Sequence, residues 1–339
     1  MIAQTLISHH IGEMALEPYE LPDLLPPDGI RVEAAVTTIS PGTEVANYLG
    51  TTTQRTPEST EAYVPGYSFA GTVLAVGSQH TRFAPGDRIC GPLPHASHAV
   101  EARPERLARM TKIPDGVSFR DASFTQLGCI ALNGVRRARI EMGQSVAIVG
   151  AGLVGLLAGR LARLDGAWPL VSLDLVPGRR ALSARYGAHL ALDPRDPDTR
   201  DRLEAVAPGG FQVVIEATGS PQAFLPSLAL AHKGGRIVLL GSTRGAVTNF
   251  DPYADVHVRG LDLVAAHVSS TPTAGANEGP WTEAANRAFL LSLIEHGELD
   301  INPLVTHTIA PKEAPDAFAA LADRSADHLG VVIDWAGQR

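Results

Sequence analysis

Two cysteines in 339 residues, Cys90 and Cys129, are too few for a disulfide framework. They fit a reducing compartment, and a cytoplasmic setting is expected. Basic residues are also in short supply. Lys and Arg number 28 against 36 Asp and Glu, a net charge of −8, and they form no cluster. That balance argues against nucleic acid and anionic membrane as partners. The longest apolar run, about Val146 to Gly159, stops at Arg160, short of the roughly 20 residues a spanning helix needs. The opening MIAQTLISHH lacks the basic-then-apolar pattern of a secretory leader. Repeats and low-complexity tracts are missing too. What remains is 45% hydrophobic and 19% charged, an ordinary globular composition with length enough for two domains.

The richest stretch runs Ser145-Val-Ala-Ile-Val-Gly150-Ala-Gly152-Leu153-Val154-Gly155. A β-branched apolar run predicts a buried strand, G-x-G-x-x-G closes it, and Leu156 to Leu164 continues as a helix. Gly150 would make the tight turn, Gly152 would let backbone approach a pyrophosphate, and Gly155 would let helix pack on strand. The helix N-terminus, at Leu153 and Val154, offers free N–H groups to phosphate. A second apolar run, Leu170-Val-Ser-Leu-Asp174, ends in a carboxylate placed for the adenosine ribose. Asp174 would repel a 2′-phosphate, and Leu175, Val176 and Pro177 bring no basic side chain, so NAD is expected over NADP. Arg179 or Arg180 could lie over the adenine, solvated helix charge being the alternative.

From about residue 145 the pattern alternates strand and helix. Apolar runs at 145–149, 170–174, 189–193, 211–216, 236–241 and 261–266 predict a doubly wound parallel sheet with its ligand at the carboxyl ends. A helix is predicted over 119–139, capped by Ser118 and Asp121. The first ~115 residues read instead as short β pieces, Ile30–Ala35, Phe69–Val76 and Asp87–Ile89, divided by Pro-Gly turns. A loop at 269–280, helices near Trp281–His296 and Pro311–Leu321, and a strand at Gly330–Trp335 complete the chain.

Several blocks carry a family resemblance: Ser40-Pro-Gly-Thr-Glu44, Pro65-Gly-Tyr-Ser-Phe-Ala-Gly71, Ala84-Pro-Gly-Asp-Arg88, Gly128-Cys-Ile-Ala-Leu-Asn-Gly134, Val213-Val-Ile-Glu-Ala-Thr-Gly219 and Gly234-Gly-Arg-Ile-Val-Leu-Leu-Gly241. Together with the glycine motif they make nearly the whole chain resemble the medium-chain dehydrogenase/reductase superfamily. The resemblance implies a discontinuous GroES-like catalytic domain, 1–129 and 273–339, with a Rossmann domain, 130–272, inserted, and an active-site cleft between them. It also implies a homodimer or homotetramer joined at the edge strand Leu261–Ala266. Asn133, Ala217, Thr218, Gly219, Gly241 and Ser242 would lie on the cofactor side.

Zinc-dependent branches of that superfamily draw ligands from a Cys-Gly-Thr-Asp block and a Gly-His-Glu block. Here these read Pro41-Gly42-Thr43-Glu44 and Gly66-Tyr67-Ser68. Only Cys129 stands at a ligand position, and one thiol cannot hold Zn²⁺. A zinc-independent enzyme is therefore expected, with an unorthodox site from Cys129, Glu44, His95 or His98 as the alternative. Without metal, a positioned hydrogen-bond donor must stabilise the substrate oxygen. Thr43 matches the hydroxyl that relays the proton in zinc-dependent relatives. Tyr67 would either point its phenol into the vacated space or merely fill it, with Glu44 or Ser40 orienting it. His95 and His98, in a loop-like stretch, could reach the cleft and are the next proton-donor candidates after Thr43 and Tyr67, although surface or structural roles are the main expectation.

Three functions fit these residues. The first is an NAD-dependent dehydrogenase acting on a secondary alcohol, a polyol, sugar or cyclitol. The Ser40–Glu44 and Val64–Tyr67 blocks also resemble bacteriochlorophyllide-type hydroxyethyl dehydrogenases. The second is a zinc-free quinone- or enoyl-type reductase. The third is a catalytically silent dinucleotide sensor.

Overall fold

The computed structural model describes residues 1–272, 281–323 and 328–338. The chain folds as two compact units: Met1–Leu127 with Pro272–Arg339, and Gly128–Thr271. The sequence-expected loop over 269–280 lies mostly outside the described residues. Its start, Val268–Ser270, is a 3₁₀ turn capped by His267.

The first unit opens with strands β1 (Ile2–Ile7) and β2 (Ala15–Glu20), an antiparallel pair. The long strand β3 (Ile30–Ile39) runs into a Ser-Pro-Gly turn and the short helix α1 (Thr43–Tyr48). Strands β4 (Phe69–Val76), β5 (Arg88–Gly91), β6 (His98–Glu101) and β7 (Thr111–Lys112) follow, with helix α2 (Pro104–Leu107) before β7. Helix α3 (Phe119–Ser123) starts where expected, Ser118 Oγ accepting from the Asp121 amide at 3.1 Å. The single helix expected over 119–139 is two: the chain breaks at Phe124 and resumes as α4 (Thr125–Ala138).

The second unit is a six-stranded, wholly parallel sheet. Its strands are β8 (Val146–Val149), β9 (Leu170–Leu173), β10 (Leu190–Leu192), β11 (Phe211–Glu216), β12 (Ala231–Leu239) and β13 (Asp262–Ala265). Their order, β10-β9-β8-β11-β12-β13, reverses direction at β8, where this architecture places its ligand. Helices α5 (Leu153–Leu164), α6 (Pro177–Arg185), α7 (Thr199–Val206) and α8 (Pro221–Leu230) make the crossovers. In α5, Leu153, Leu156, Leu157 and Leu161 fall on one stripe and are buried. Ala147, Val171, Val214 and Ile237 form the sheet's core, with Phe211 and Leu228 against it.

The chain then returns to the first unit through α9 (Glu283–Glu295), β14 (Val305–Ile309), α10 (Ala314–Ala322) and β15 (Gly330–Asp334). β15 pairs with β3, completing the sheet β14-β15-β3-β4-β5-β7, with β6 also on β3. This non-local pairing joins residues 331–334 to 36–39. It buries Val331 and Ile333 beside Ile30, Val32, Ile89 and Phe318. A second tie is polar. The fully buried Arg287 of α9 donates to Glu283, Gln126 and the Arg109 carbonyl, so its charge is paired, as burial requires.

Candidate functional site

Within the first unit, the turn after β3 and the start of α1 build a polar cluster. Glu44 is fully buried, and its Oε2 accepts from the Ser40 amide at 2.6 Å. The same oxygen lies 3.2 Å from Nε2 of His95, which is equally buried. A carboxylate can only accept, so this contact requires the proton on Nε2. Glu44 Oε1 and His95 Nδ1 have no hydrogen-bond partner among the described residues. The pair therefore retains capacity for a further polar group.

Tyr67 stands beside this pair. The His95 amide donates to the Pro65 carbonyl at 3.0 Å, holding the 65–67 segment against 94–95. The approach is so close that a Cβ on Gly66 would lie 2.1 Å from the His95 nitrogen. The hydroxyls of Ser40 and Thr43 hydrogen-bond the Tyr67 phenol. Burial, then the charge of Glu44, pushes that phenol well above its ordinary range, and the two hydroxyls partly offset the shift. Ser40, Thr43, Glu44 and Tyr67 are thus brought together.

His95 joins them, although the sequence pattern favours surface or structural roles for it. His98 does not: it lies on β6, with Nδ1 3.2 Å from Ser97 Oγ and Nε2 3.8 Å from Glu33. Two further residues carry no warning in the sequence. Asn47 follows Thr43 by one helical turn and donates to the Tyr63 hydroxyl at 3.4 Å. Tyr63 is tied to Ser8 through both backbone groups, and Arg55 stacks over its ring at 5.3 Å. Burial, then Glu44, also raises the Tyr63 phenol. The i, i+4 spacing of Thr43 and Asn47 is the one signal that could have revealed this extension.

The donor set does not suit a zinc ion. Pro41 and Tyr67 offer no thiolate or imidazole, and Ser68 offers only a hydroxyl. Among the described residues no group of three or more His, Cys, Asp or Glu could hold a metal. Cys129 is buried in α4, within the other unit. The polar chemistry of the first unit therefore rests on hydroxyls, a carboxylate and an imidazole.

The second unit presents the carboxyl ends of β8, β9, β11 and β12. A Cβ on Gly155 would lie 1.8 Å from the Gly150 carbonyl oxygen, so helix α5 can seat on its strand only with glycine there. A Cβ on Gly152 would meet nothing within 4 Å, which leaves the open backbone approach that a pyrophosphate needs. Asp174 Oδ2 accepts from the Ala151 amide at 2.7 Å and Oδ1 from the Val176 amide at 2.8 Å. The ribose acid is thereby locked to the glycine loop. Glu216, buried at the end of β11, accepts from the Thr218 and Gly219 amides and fixes Ala217–Gly219. A Cβ on Gly241 would lie 2.2 Å from the Gly219 nitrogen, so the 217–219 and 241–242 turns meet backbone to backbone. Asn133 spends its amide on the Ala266 and His267 carbonyls, at 2.8 and 3.3 Å. It positions the segment after β13.

At the Asp174 edge, 175–177 contain no basic side chain, but the fold brings two in from further along the chain: Arg180 donates to the Asp174 carbonyl at 2.9 Å, and Arg195 to the Leu175 carbonyl at 3.2 Å. Arg180, not Arg179, holds the Asp174 main chain.

The chain as a whole is similar to known dehydrogenases. Residues 154–283 match the zinc-binding dehydrogenase family. D-guloside 3-dehydrogenase of Escherichia coli (strain K12) is 25% identical over 260 residues, covering 76% of this chain and 73% of that protein. Sorbitol dehydrogenase of Rattus norvegicus is 23% identical over 93% of this chain and 91% of its own. A solved dehydrogenase of Sinorhizobium meliloti 1021 bound to NADP superimposes with a TM-score of 0.81 at 24% identity, covering 98% of this chain and 99% of its own. With the parallel nucleotide sheet, the inserted topology and the retained Ser40–Glu44 block, these likenesses support the medium-chain dehydrogenase/reductase superfamily.

Proposed function

We propose that this oxidoreductase transfers a hydride between NAD(H) and a secondary alcohol or ketone, of the polyol, sugar or cyclitol class, without zinc. The observation that carries the reading is Tyr67. Its phenol replaces a metal-ligating imidazole and is hydrogen-bonded by Ser40 and Thr43, beside a buried carboxylate. The polyol class is supported by two relatives, D-guloside 3-dehydrogenase and sorbitol dehydrogenase.

A bound nicotinamide supplies or accepts the hydride. Gly150, Gly152 and the amides at Leu153, Val154 and Gly155 would cradle its pyrophosphate, Asp174 its adenosine ribose, and Arg179 its adenine edge. Ala217, Thr218, Gly219, Gly241, Ser242 and the Asn133-anchored segment would flank the rest. In the reductive direction Tyr67 gives its proton to the carbonyl oxygen as the C–H bond forms. Burial and the Glu44 charge keep that proton on the phenol at neutral pH. Ser40 and Thr43 then stabilise the phenolate until water returns a proton. His95 holds Glu44 in place and is a positioning residue.

The test is Tyr67→Phe, which keeps ring volume and removes only the hydroxyl. Turnover on a panel of polyols, inositols and sugar alcohols is followed at the NADH absorbance band. kcat should fall by about 10²–10⁴-fold with NAD affinity unchanged, the usual worth of a positioned acid. If Tyr67→Phe and Thr43→Val both keep wild-type kcat, the proton comes from elsewhere.

A further inference from the structure

Position 193 closes β10 with an aspartate whose chemistry the cofactor reading leaves unused. Asp193 Oδ2 receives Arg180 Nη1 at 3.1 Å and Arg195 Nη2 at 2.8 Å. Its Oδ1 receives both Nε and the backbone amide of Arg195 at 3.0 Å. Each guanidinium also reaches the ribose-acid loop, Arg180 at the Asp174 carbonyl and Arg195 at the Leu175 carbonyl. Two arginines therefore stand beside Asp174 with one carboxylate shared between them.

We propose that Asp193 is a specificity-determining residue for the cofactor: by engaging Arg180 and Arg195 it withholds them from a 2′-phosphate. This rests on the reading that Asp174 receives the adenosine ribose. With both aspartates ionised, the two arginines are balanced in charge, and a phosphate arriving at the 2′ position meets Asp174 while Arg180 and Arg195 are engaged by Asp193. Removing the charge at 193 changes the sum to +1. Arg195 is the group that would respond, since its side chain is 67% exposed, whereas Arg180 is 21% exposed and pinned to the Asp174 carbonyl. An arginine freed in this way makes bidentate, charge-assisted bonds to phosphate. The strongly lowered carboxyl of Asp193, caused first by the Arg195 hydrogen bonds, keeps this arrangement in force across the working pH range. NAD preference is thus held at two places: repulsion at 174 and neutralised arginines at 193.

The experiment is calorimetric titration of the full chain with NAD⁺, NADP⁺ and adenosine 2′,5′-bisphosphate. Asp193→Asn keeps the shape and the acceptor for the Arg195 amide. It should bind NADP⁺ and the bisphosphate about tenfold tighter than wild type, the worth of one charge-assisted hydrogen bond, with NAD⁺ unchanged. Adding Arg195→Ala should cancel the gain. Unchanged NADP⁺ binding in Asp193→Asn, with NAD⁺ binding intact, overturns the assignment. So does a gain that survives Arg195→Ala. Should Asp193→Asn fail to fold, Asp193→Ser with and without Arg195→Ala decides: a gain in NADP⁺ affinity over wild type that Arg195→Ala cancels supports the proposal, and no gain, or one that survives Arg195→Ala, overturns it. Wild-type protein that binds no dinucleotide at all overturns the underlying cofactor reading instead.

Discussion

Gly66→Ala is the perturbation that most directly tests how the first unit's polar cluster is held. The backbone at Gly66 has φ +118°, and a Cβ there would lie 2.1 Å from the His95 nitrogen and 2.4 Å from the Pro94 carbonyl carbon. Both neighbours are main chain, so no side chain can swing aside. Three penalties follow. Forcing a side chain into that conformation costs about 1–3 kcal/mol. The overpacked contact costs about 1–3 kcal/mol more. Separating 65–67 from 94–95 also breaks the 3.0 Å bond from the His95 amide to Pro65, worth about 0.5–1.5 kcal/mol. Together they amount to roughly 2.5–7.5 kcal/mol, a large part of the about 5–15 kcal/mol that holds a domain folded. For a unit of this size, at about 2–4 °C per kcal/mol, the melting temperature should drop by about 5–30 °C. The check is differential scanning calorimetry with Gly178→Ala as control. That residue sits in the first turn of α6, and a Cβ there would meet nothing within 4 Å. It should be neutral or slightly stabilising. Gly66→Ala melting within about 2 °C of wild type would refute the close approach, since even the lower estimate predicts more.

Three further outcomes follow from the same geometry. The folded protein holds the Tyr67 proton more tightly than the unfolded chain, whose phenol titrates at the ordinary value of 10.0. Its stabilising contribution is therefore full below pH 10 and lost as pH rises further, so wild type should lose stability above pH 10 more steeply than Tyr67→Phe; parallel pH–stability curves from urea unfolding would contradict this. Elemental analysis of protein purified without chelators should find well below one zinc per chain, and stoichiometric zinc whose removal abolishes turnover would contradict the metal-free reading. Strand β13 is the outer strand of the nucleotide sheet, with Leu263 exposed, and an apolar edge of this kind needs a partner. Light scattering should give at least a dimer, and a monomer mass at micromolar concentration would argue against pairing at this edge.

The nucleotide half of the chain was legible because its signals are local. The strand, the three glycines and Asp174 lie within thirty consecutive residues, and period, turn chemistry and acid all point the same way. Even there the details depended on neighbours. β12 begins at Ala231 rather than near 236 because Phe211 pairs with Ala231 before the register shifts at Val213. The β-rich unit was harder to read. β6 and β7 are short pieces paired with strands elsewhere in the chain, β6 on β3 and β7 on β5, while β1 and β2 pair with each other, and all four carry little pattern of their own. Helix α1 was hidden behind a Pro-Gly turn.

The site divides along the same line. Ser40, Thr43, Glu44 and Tyr67 could be picked out because two short blocks kept their framing residues while losing the metal ligands. His95 could be named only as one alternative among several: the Glu44 contact that gives it meaning spans 51 residues, and its surroundings, Pro92–Ser97, look like surface loop. Arg195 was missed for the same reason, since only the parallel register of β9 and β10 brings the segment after Leu192 alongside Asp174. Both cases concern charge. A carboxylate recognised in sequence is an isolated −1, and its chemical role depends on which cations or protons the fold sets against it. Glu44 is held by His95 as well as by the Ser40 amide, and its charge in turn raises the Tyr67 phenol. Asp174 without Asp193 would stand beside a released Arg195 and accept a 2′-phosphate more readily. The residues that name the chemistry are local, and the residues that set its direction and specificity are supplied by the topology.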